Sequence, residues 1–501
     1  MVLSSAQEVI TTLLPSDQGA VSAKTPHVCI VGAGISGLRC ASELLAHGVQ
    51  VTIIEARDRI GGRICQSNEL GYTVDFGPNW IHTSGSNPIL DLANLTGTVL
   101  HIWNEKVQVF DHDGKRIEDE TAKVLGELRW DIIEKAMRYS KENTHRIDKN
   151  DSLGQWFEKR TAEMEISEYD RKVLIGMAEM WGCYIGDSIY HQSLKYTWLE
   201  DCCSGEELIV ASSYAAILAE IARVPLKSAN LLLSQQVVGV SSFENSVNGR
   251  GVAIETANGD KFTFDDVVMT TPLGWLKRNE SAFQPSLPDP LREAIGDISV
   301  GHLEKVYITF PKAWWKAARE DEYPGYTNWI CPKYASDTNP DGWPQEAYDL
   351  AAFPEPHSHP TLLLYLYGDC SAHISNLVYT LPKDKQYPAL DAFFKPYYSK
   401  LPRYDDVAED CRPKAFLATA WRFDELSGNG SYCNFQVGIE NADKHVEALQ
   451  LGLPDRGIWF AGEHTAPLEE MGTVAGAYLS GERAARRILE QYSLFPSHKR
   501  A

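Results

Sequence analysis

His27–Val31 is a short unbroken apolar run, the pattern of a strand buried on both faces. Leu38, Ala41, Leu44 and Leu45 then recur at helical spacing until Gly48, and residues 49–54 form a second apolar run that ends at Glu55. The pattern predicts a βαβ beginning. After residue 100 the texture changes. Residues 107–110 and 115–117 flank Asp113-Gly114 as in a hairpin, and 118–149 is charged with helical period, predicting a helix over the outside of a second domain. A long helical pattern over 206–224 leads into expected strands near 231–240, Gly251–Thr256 and 261–270, with another over 303–310. Residues 314–402 are rich in Pro, Trp and Tyr and predict irregular loops around a sheet strand such as Thr361–Tyr367. Residues 457–461 predict a strand and 472–492 an amphipathic helix.

Composition changes this picture mainly by exclusion. At 501 residues the chain is too long for one core, and about three domains, or two large interleaved ones, are expected. With 44% hydrophobic and 23% charged residues it is neither largely disordered nor membrane-spanning. The balance of 47 basic against 68 acidic residues, −21, repels nucleic acid and anionic lipid and attracts cations. Ten scattered cysteines without a CxxC pair favour a reduced compartment. Residues 1–24 read as a flexible arm without a secretory pattern, so a cytoplasmic location is expected, with a peroxisomal one left open. Asp111-His112-Asp113-Gly114 reads as a turn, and no metal is expected there or at His357 and His359. Oligomeric state is not readable.

Chemistry enters at Gly32-Ala33-Gly34-Ile35-Ser36-Gly37, between the first strand and its helix. Gly32 allows a tight turn, Gly34 a close approach of backbone to a pyrophosphate, and Gly37 the helix–strand contact. The helix N-terminus favours the phosphates, and Glu55 stands at the offset for a ribose hydroxyl. On these residues alone the dinucleotide is NAD or FAD. The continuation Glu55-Ala56-Arg57-Asp58-Arg59-Ile60-Gly61-Gly62-Arg63 resembles the FAD signature of the flavin-containing amine oxidase superfamily. Ile458-Trp459-Phe460-Ala461-Gly462-Glu463-His464-Thr465, with Gly472-Thr473-Val474-Ala475-Gly476-Ala477 and Gly481-Glu482-Arg483-Ala484-Ala485, is similar to its second signature. The resemblance covers nearly the whole chain after the arm and is closest to the polyamine oxidase branch. It implies an α/β fold: a discontinuous Rossmann-like FAD-binding domain over 25–100, 205–300 and 412–501, interleaved with an α+β substrate-binding domain over 101–204 and 301–411.

The resemblance also implies site residues. FAD would be held by Gly32, Gly34, Ile35, Ser36, Gly37, Glu55, Ala56, Arg57, Gly62 and Arg63, by Gly77, Pro78, Asn79 and Trp80, and by Val237, Trp421, Gly462, Glu463, Thr473 and Val474. Lys305 matches the family's lysine that holds a water near flavin N5, although an isolated strand lysine is read as exposed. Tyr432 matches one wall of the aromatic cage, and Thr473 replaces the opposite tyrosine of monoamine oxidases. Ser431 stands where those enzymes carry the cysteine that attaches FAD, which implies a noncovalent cofactor. His82 sits where polyamine oxidases place a histidine or acid facing substrate; read alone it is an ordinary hydrogen-bonded loop residue. The implied reaction passes a hydride equivalent from the α C–H of an amine, with a polyamine-like secondary amine favoured, to flavin N5. An imine is released and hydrolysed, and O2 becomes H2O2. Two other readings stay open: oxidation or desaturation of a specialised metabolite, and a non-catalytic FAD-bound scaffold.

Overall fold

The computed structural model describes residues 25–82, 86–103, 107–203 (backbone only for 201–203), 207–244, 249–316 and 325–494. The expected arm over 1–24 lies outside the described residues. β1 (His27–Val31) and β2 (Gln50–Ile54) pair in parallel, Val28 beside Val51 and Val31 beside Ile54, joined by α1 (Ile35–Ala46). The sheet continues in parallel through Asp266–Met269 and Ile458–Phe460 on one side and Asn230–Leu232 on the other. Four distant stretches of chain thus build one Rossmann-like layer. Helix Val474–Gln491 packs on α1 so closely that a Cβ on Gly481 would meet the Ser36 carbonyl at 2.3 Å. The Ser36 and Ser480 hydroxyls meet at 3.0 Å across this contact.

A second sheet of six strands runs in the order Ala415–Ala418, Leu303–Thr309, Thr361–Tyr367, Gln345–Asp349, Tyr326–Trp329 and Gln108–Phe110. Its pairs are antiparallel except the last. Strand alternation divides its faces. Tyr307, Leu363, Tyr365 and Tyr348 enter one core, whereas Val306, Ile308, Leu362 and Leu364 enter another with Trp315, Trp329 and Phe394.

Four expectations about elements are corrected. The helical pattern over 206–224 is a strand, Glu207–Val210, followed by helix Ala215–Ser228. Glu207 to Ile209 pair with Trp80–His82 and Leu208 to Val210 with Leu100–Ile102, and before the helix the Asp75 carboxylate accepts the Tyr214 N–H at 3.0 Å and the Ser213 hydroxyl at 3.1 Å. The run 261–270 is two strands, Lys261–Phe264 and Asp266–Met269, which belong to different sheets. The expected hairpin around Asp113-Gly114 is a single bridge, Phe110 with Arg116, while strand Gln108–Phe110 pairs along its other edge with Tyr326–Trp329. The turn itself is as expected: Asp111 Oδ1 accepts from the amides of Asp113 and Lys115 at 3.0 and 2.9 Å. Within 314–402, helices Gly368–Thr380 and Lys383–Tyr398 stand where loops are expected. Pro388 and Pro396 disguise the second helix, which is fixed by burying Leu390, Phe393, Phe394, Tyr397 and Tyr398.

Candidate active site

At the carboxyl ends of β1 and β2 a groove of about 100 Å³ is lined by Gly32, Gly34, Glu55, Ala56, Arg57, Gly62, Arg63 and Val237. The three glycines of the turn between β1 and α1 differ in what demands them. A Cβ on Gly32, where φ is +113°, would meet Thr270 Oγ1 at 2.5 Å, and one on Gly37 would meet the Gly32 carbonyl at 2.1 Å. Around Gly34 a Cβ would meet no protein atom within 4 Å. Internal packing therefore requires Gly32 and Gly37, while Gly34 leaves bare backbone facing the groove. Gly34 caps α1 without a side-chain hydrogen bond, so first-turn amides remain for an anion. The buried Glu55 carboxylate is braced by the amides of Ala33 at 2.7 Å and Arg57 at 2.8 Å. Thr271 Oγ1, also on the groove wall, is buried without a partner. This donor set fits a dinucleotide diphosphate with its ribose. Arg57 binds the Asp424 carboxylate at 2.8 and 2.9 Å and Ser427 at 2.9 Å, tying the first part of the chain to the last.

Beside the groove opens a cavity of about 290 Å³. It is lined by Ile35, Arg63, Gly77, Pro78, Asn79, Trp80, His82, Lys305, Trp421, Tyr432, Glu463, Thr473 and Val474 among the expected residues. Lys305 is buried, contrary to the reading of an isolated strand lysine. Its Nζ donates to the carbonyls of Asp75 (3.4 Å) and Gly77 and to Asn79 Oδ1. Burial lowers its pKa to about 7, against the pull of Asp75. Tyr365, opposite Lys305 in the sheet, donates to Asn79 Oδ1 at 2.9 Å and accepts from the Trp80 indole at 3.0 Å. The Trp421 indole donates to the Phe76 carbonyl at 3.3 Å, which holds its ring on the wall.

Arg63 joins the two signatures: it donates to the Ser431 carbonyl at 2.6 Å and to Glu463 Oε1 at 3.0 Å. Burial would raise the Glu463 pKa, but the Arg63 guanidinium beside it holds it below the usual carboxylate range. The Tyr432 hydroxyl donates to the Tyr184 carbonyl at 2.5 Å. Thr473 caps helix Val474–Gln491, its Oγ1 accepting from the Gly476 amide at 2.9 Å. His82 pairs with Glu207 across neighbouring strands, Nδ1 to Oε2 at 2.7 Å. Ser431 Oγ is engaged with backbone, donating to the Gly301 carbonyl at 3.0 Å and accepting from the Leu303 amide at 3.1 Å.

Three expected cofactor residues are not on either wall. Ser36 and Gly37 lie in the α1 packing contacts described above, and the Gly462 amide donates to Ser480 Oγ at 2.9 Å. They brace the site from behind. Conversely, the sequence reading missed Trp181, Tyr184, Glu200, Glu207, Glu346, Tyr348 and Tyr365, all on the cavity wall. Only Tyr365 had a visible signal, the strand Thr361–Tyr367. Among the described residues no cluster of three or more His, Cys, Asp or Glu could hold a metal, and no helix is long and apolar enough to cross a membrane.

A parallel dinucleotide cradle running into an aromatic cavity that holds a buried lysine is the layout of a dinucleotide-dependent oxidoreductase. The chain belongs to the flavin-containing amine oxidoreductase family, whose pattern it matches over residues 35–489. Polyamine oxidase 4 of Oryza sativa subsp. japonica is 27% identical over 488 residues, covering 94% of this chain and 90% of that protein. A corticosteroid-binding protein of Candida albicans is 28% identical, covering 93% and 96%. Among solved structures, a redesigned putrescine oxidase superposes with a TM-score of 0.69 at 18% identity, covering 93% of this chain and 99% of that one. Cyclohexylamine oxidase from Brevibacterium oxydans gives 0.67 at 20%, covering 94% and 100%.

Proposed function

We propose that this protein is an FAD-dependent oxidase of polyamine-like secondary amines. The observation that carries the reading is the buried Lys305 amine facing an aromatic cavity that adjoins the dinucleotide groove. The division into an FAD-binding domain (25–100, 205–300, 412–501) and a substrate-binding domain (101–204, 301–411) belongs to the same proposal. FAD held by the groove and cavity residues above would supply the two-electron oxidation of the amine's α C–H to an imine that water then hydrolyses, with O2 as the final acceptor giving H2O2. The protein's work is placement and desolvation. Tyr432 would offer one ring face to the substrate amine, with Thr473 in place of an aromatic opposite wall, and Trp421 would stand beside the flavin. Thr473 and Val474 would set the N-terminus of their helix toward the flavin pyrimidine, favouring negative charge there. Lys305 would hold a water near flavin N5, its amine brought by burial to a pKa of about 7. His82, tied to Glu207, would face the substrate from the far wall. The Ser431 hydroxyl cannot form a thioether, which supports noncovalent FAD.

The test is the visible spectrum of the purified protein, followed by spermine or spermidine without oxygen. Bleaching of a flavin that acid precipitation releases into solution is the expected result. A flavin spectrum unmoved by these amines would overturn the polyamine reading, and release of no flavin would overturn noncovalent binding.

A further inference from the structure

Strand Leu303–Thr309 carries a carboxylate on the face turned away from the cavity. Glu304, Val306 and Ile308 alternate with Lys305 and Tyr307, and Val306 and Ile308 enter the apolar core with Leu364 and Leu366. Glu304 is 1% exposed. Burial pushes its pKa up, so the acid is held here at a cost that an apolar residue would not carry. Its contacts give the reason.

Strand Ala415–Ala418 pairs with Leu303–Thr309 only as far as Ala418 beside Val306. One residue further on, the chain turns out of the sheet toward Trp421, and a side chain finishes the ladder. The Thr419 amide donates to the Lys305 carbonyl at 2.9 Å. The Lys305 amide donates at 2.8 Å to Thr419 Oγ1, where a regular antiparallel pair would offer the Thr419 carbonyl. Having accepted from Lys305, the Thr419 hydroxyl gives its single proton to Glu304 Oε2 at 2.6 Å. Glu304 Oε1 accepts from the Arg422 amide at 2.9 Å, and the Trp421 amide and the Arg422 charge act on the same carboxylate. The turn Trp421–Phe423 has no side-chain cap of its own, so a carboxylate from another strand satisfies its first amides. The Trp421 ring is pinned at its other end by the indole bond to the Phe76 carbonyl.

We propose that Glu304 is a positioning residue for the flavin site: through Thr419 and the backbone of Trp421 and Arg422 it fixes the Trp421 ring in register with Lys305. It does so from the far side of the sheet, lining neither the groove nor the cavity. The inference rests on the placement of Trp421 beside the flavin in the reading above. Each hydrogen-bond partner of the carboxylate is a donor, so a glutamine of the same shape must set its NH2 against one of them.

The test compares Glu304→Gln in the unaltered protein and in Trp421→Leu, which keeps bulk without the ring. Each protein is freed of flavin and titrated with FAD by fluorescence quenching, and visible circular dichroism is recorded on the loaded forms. In the unaltered background the substitution should raise the FAD dissociation constant roughly fivefold or more and change the flavin's visible dichroism, because the ring beside it is released. In Trp421→Leu it should move the constant by less than about twofold and leave the dichroism as it was, since the ring it places is gone. Thr419→Val removes the proton given to Glu304 and should repeat the Glu304→Gln result, whereas Thr419→Ser restores the hydroxyl and should match the unaltered protein. This second pair carries the test should Glu304→Gln fail to fold. An equal loss in both backgrounds would show that Glu304 supports the fold alone, and unchanged binding and dichroism in the unaltered background would show that it places nothing; either overturns the proposal. No amine enters these measurements, so failure of the amine-oxidising reading shows separately, in anaerobic bleaching by spermidine.

Discussion

Lys305 shows how far a single residue departs from its type. A lysine amine ordinarily titrates near 10.5, and burial brings this one to about 7. The sign for stability follows. Between those values the unfolded chain holds a proton that the folded chain has released, so unfolding takes up protons and stability rises with pH across that window. Lys305→Met removes the group, and its melting temperature should gain most on the unaltered protein near pH 7, with the gain shrinking toward about pH 10. A gap that stays constant with pH would show that Lys305 titrates normally. The same variant should keep its flavin and lose roughly a hundredfold in the rate of anaerobic flavin reduction by spermidine, read by stopped flow. The role expected of Lys305 was legible only through resemblance, because its alternating strand fits an exposed lysine equally well. Glu346 and Tyr348 were invisible for a different reason. Their strand, Gln345–Asp349, sits within a stretch whose prolines and aromatics read as loop, and it acquires its inward face only by pairing with Thr361–Tyr367 and Tyr326–Trp329.

At the scale of elements, the β1–α1–β2 unit was readable because local signals and burial agree: two apolar runs, a glycine turn and an acid at the end of the second strand. Signals failed where partners decide. The segment over 206–224 has helical spacing throughout, yet Leu208 to Val210 pair as a strand because Trp80–His82 and Leu100–Ile102 lie to either side of them. Likewise 261–270 is a continuous β-forming run that two separate sheets divide. The three glycines of the turn allow a test of which constraints are internal. Gly37→Ala puts a Cβ 2.1 Å from the Gly32 carbonyl, so α1 must lift from β1; the flavin-free protein should lose roughly 2 kcal/mol or more in urea unfolding. Gly34→Ala meets no protein atom within 4 Å, so flavin-free stability should change by less than about 0.5 kcal/mol. Flavin affinity, measured by fluorescence quenching on titration with FAD, should nevertheless fall roughly tenfold, because the new methyl stands where the ligand must approach. Equal destabilisation by the two substitutions would mean that Gly34 too is held by the protein rather than kept bare for the cofactor.

The whole molecule adds what no segment shows. The groove and the cavity are closed by ties between residues about 370 to 400 positions apart, Arg57 with Asp424 and Arg63 with Glu463, so the site exists only once the chain has returned on itself. The net charge of −21 acts at the same scale, and its meaning depends on the substrate. An acidic surface serves solubility whatever the ligand, but for a polycation it also raises the encounter rate. Steering of this kind acts over the Debye length, about 10 Å at 0.1 M salt, and it scales with the charge of the ligand. Capture of spermidine should therefore weaken with salt more than capture of a monoamine. Between about 20 and 300 mM NaCl, kcat/KM for spermidine should fall roughly fivefold or more while kcat stays level, and kcat/KM for octylamine should fall less. The comparison separates two origins of polyamine selectivity. If the salt dependence is equal for both amines, selection resides in the cavity alone and the surface charge serves solubility. If spermidine is the more salt-sensitive, the surface gathers the polycation before the cavity selects it.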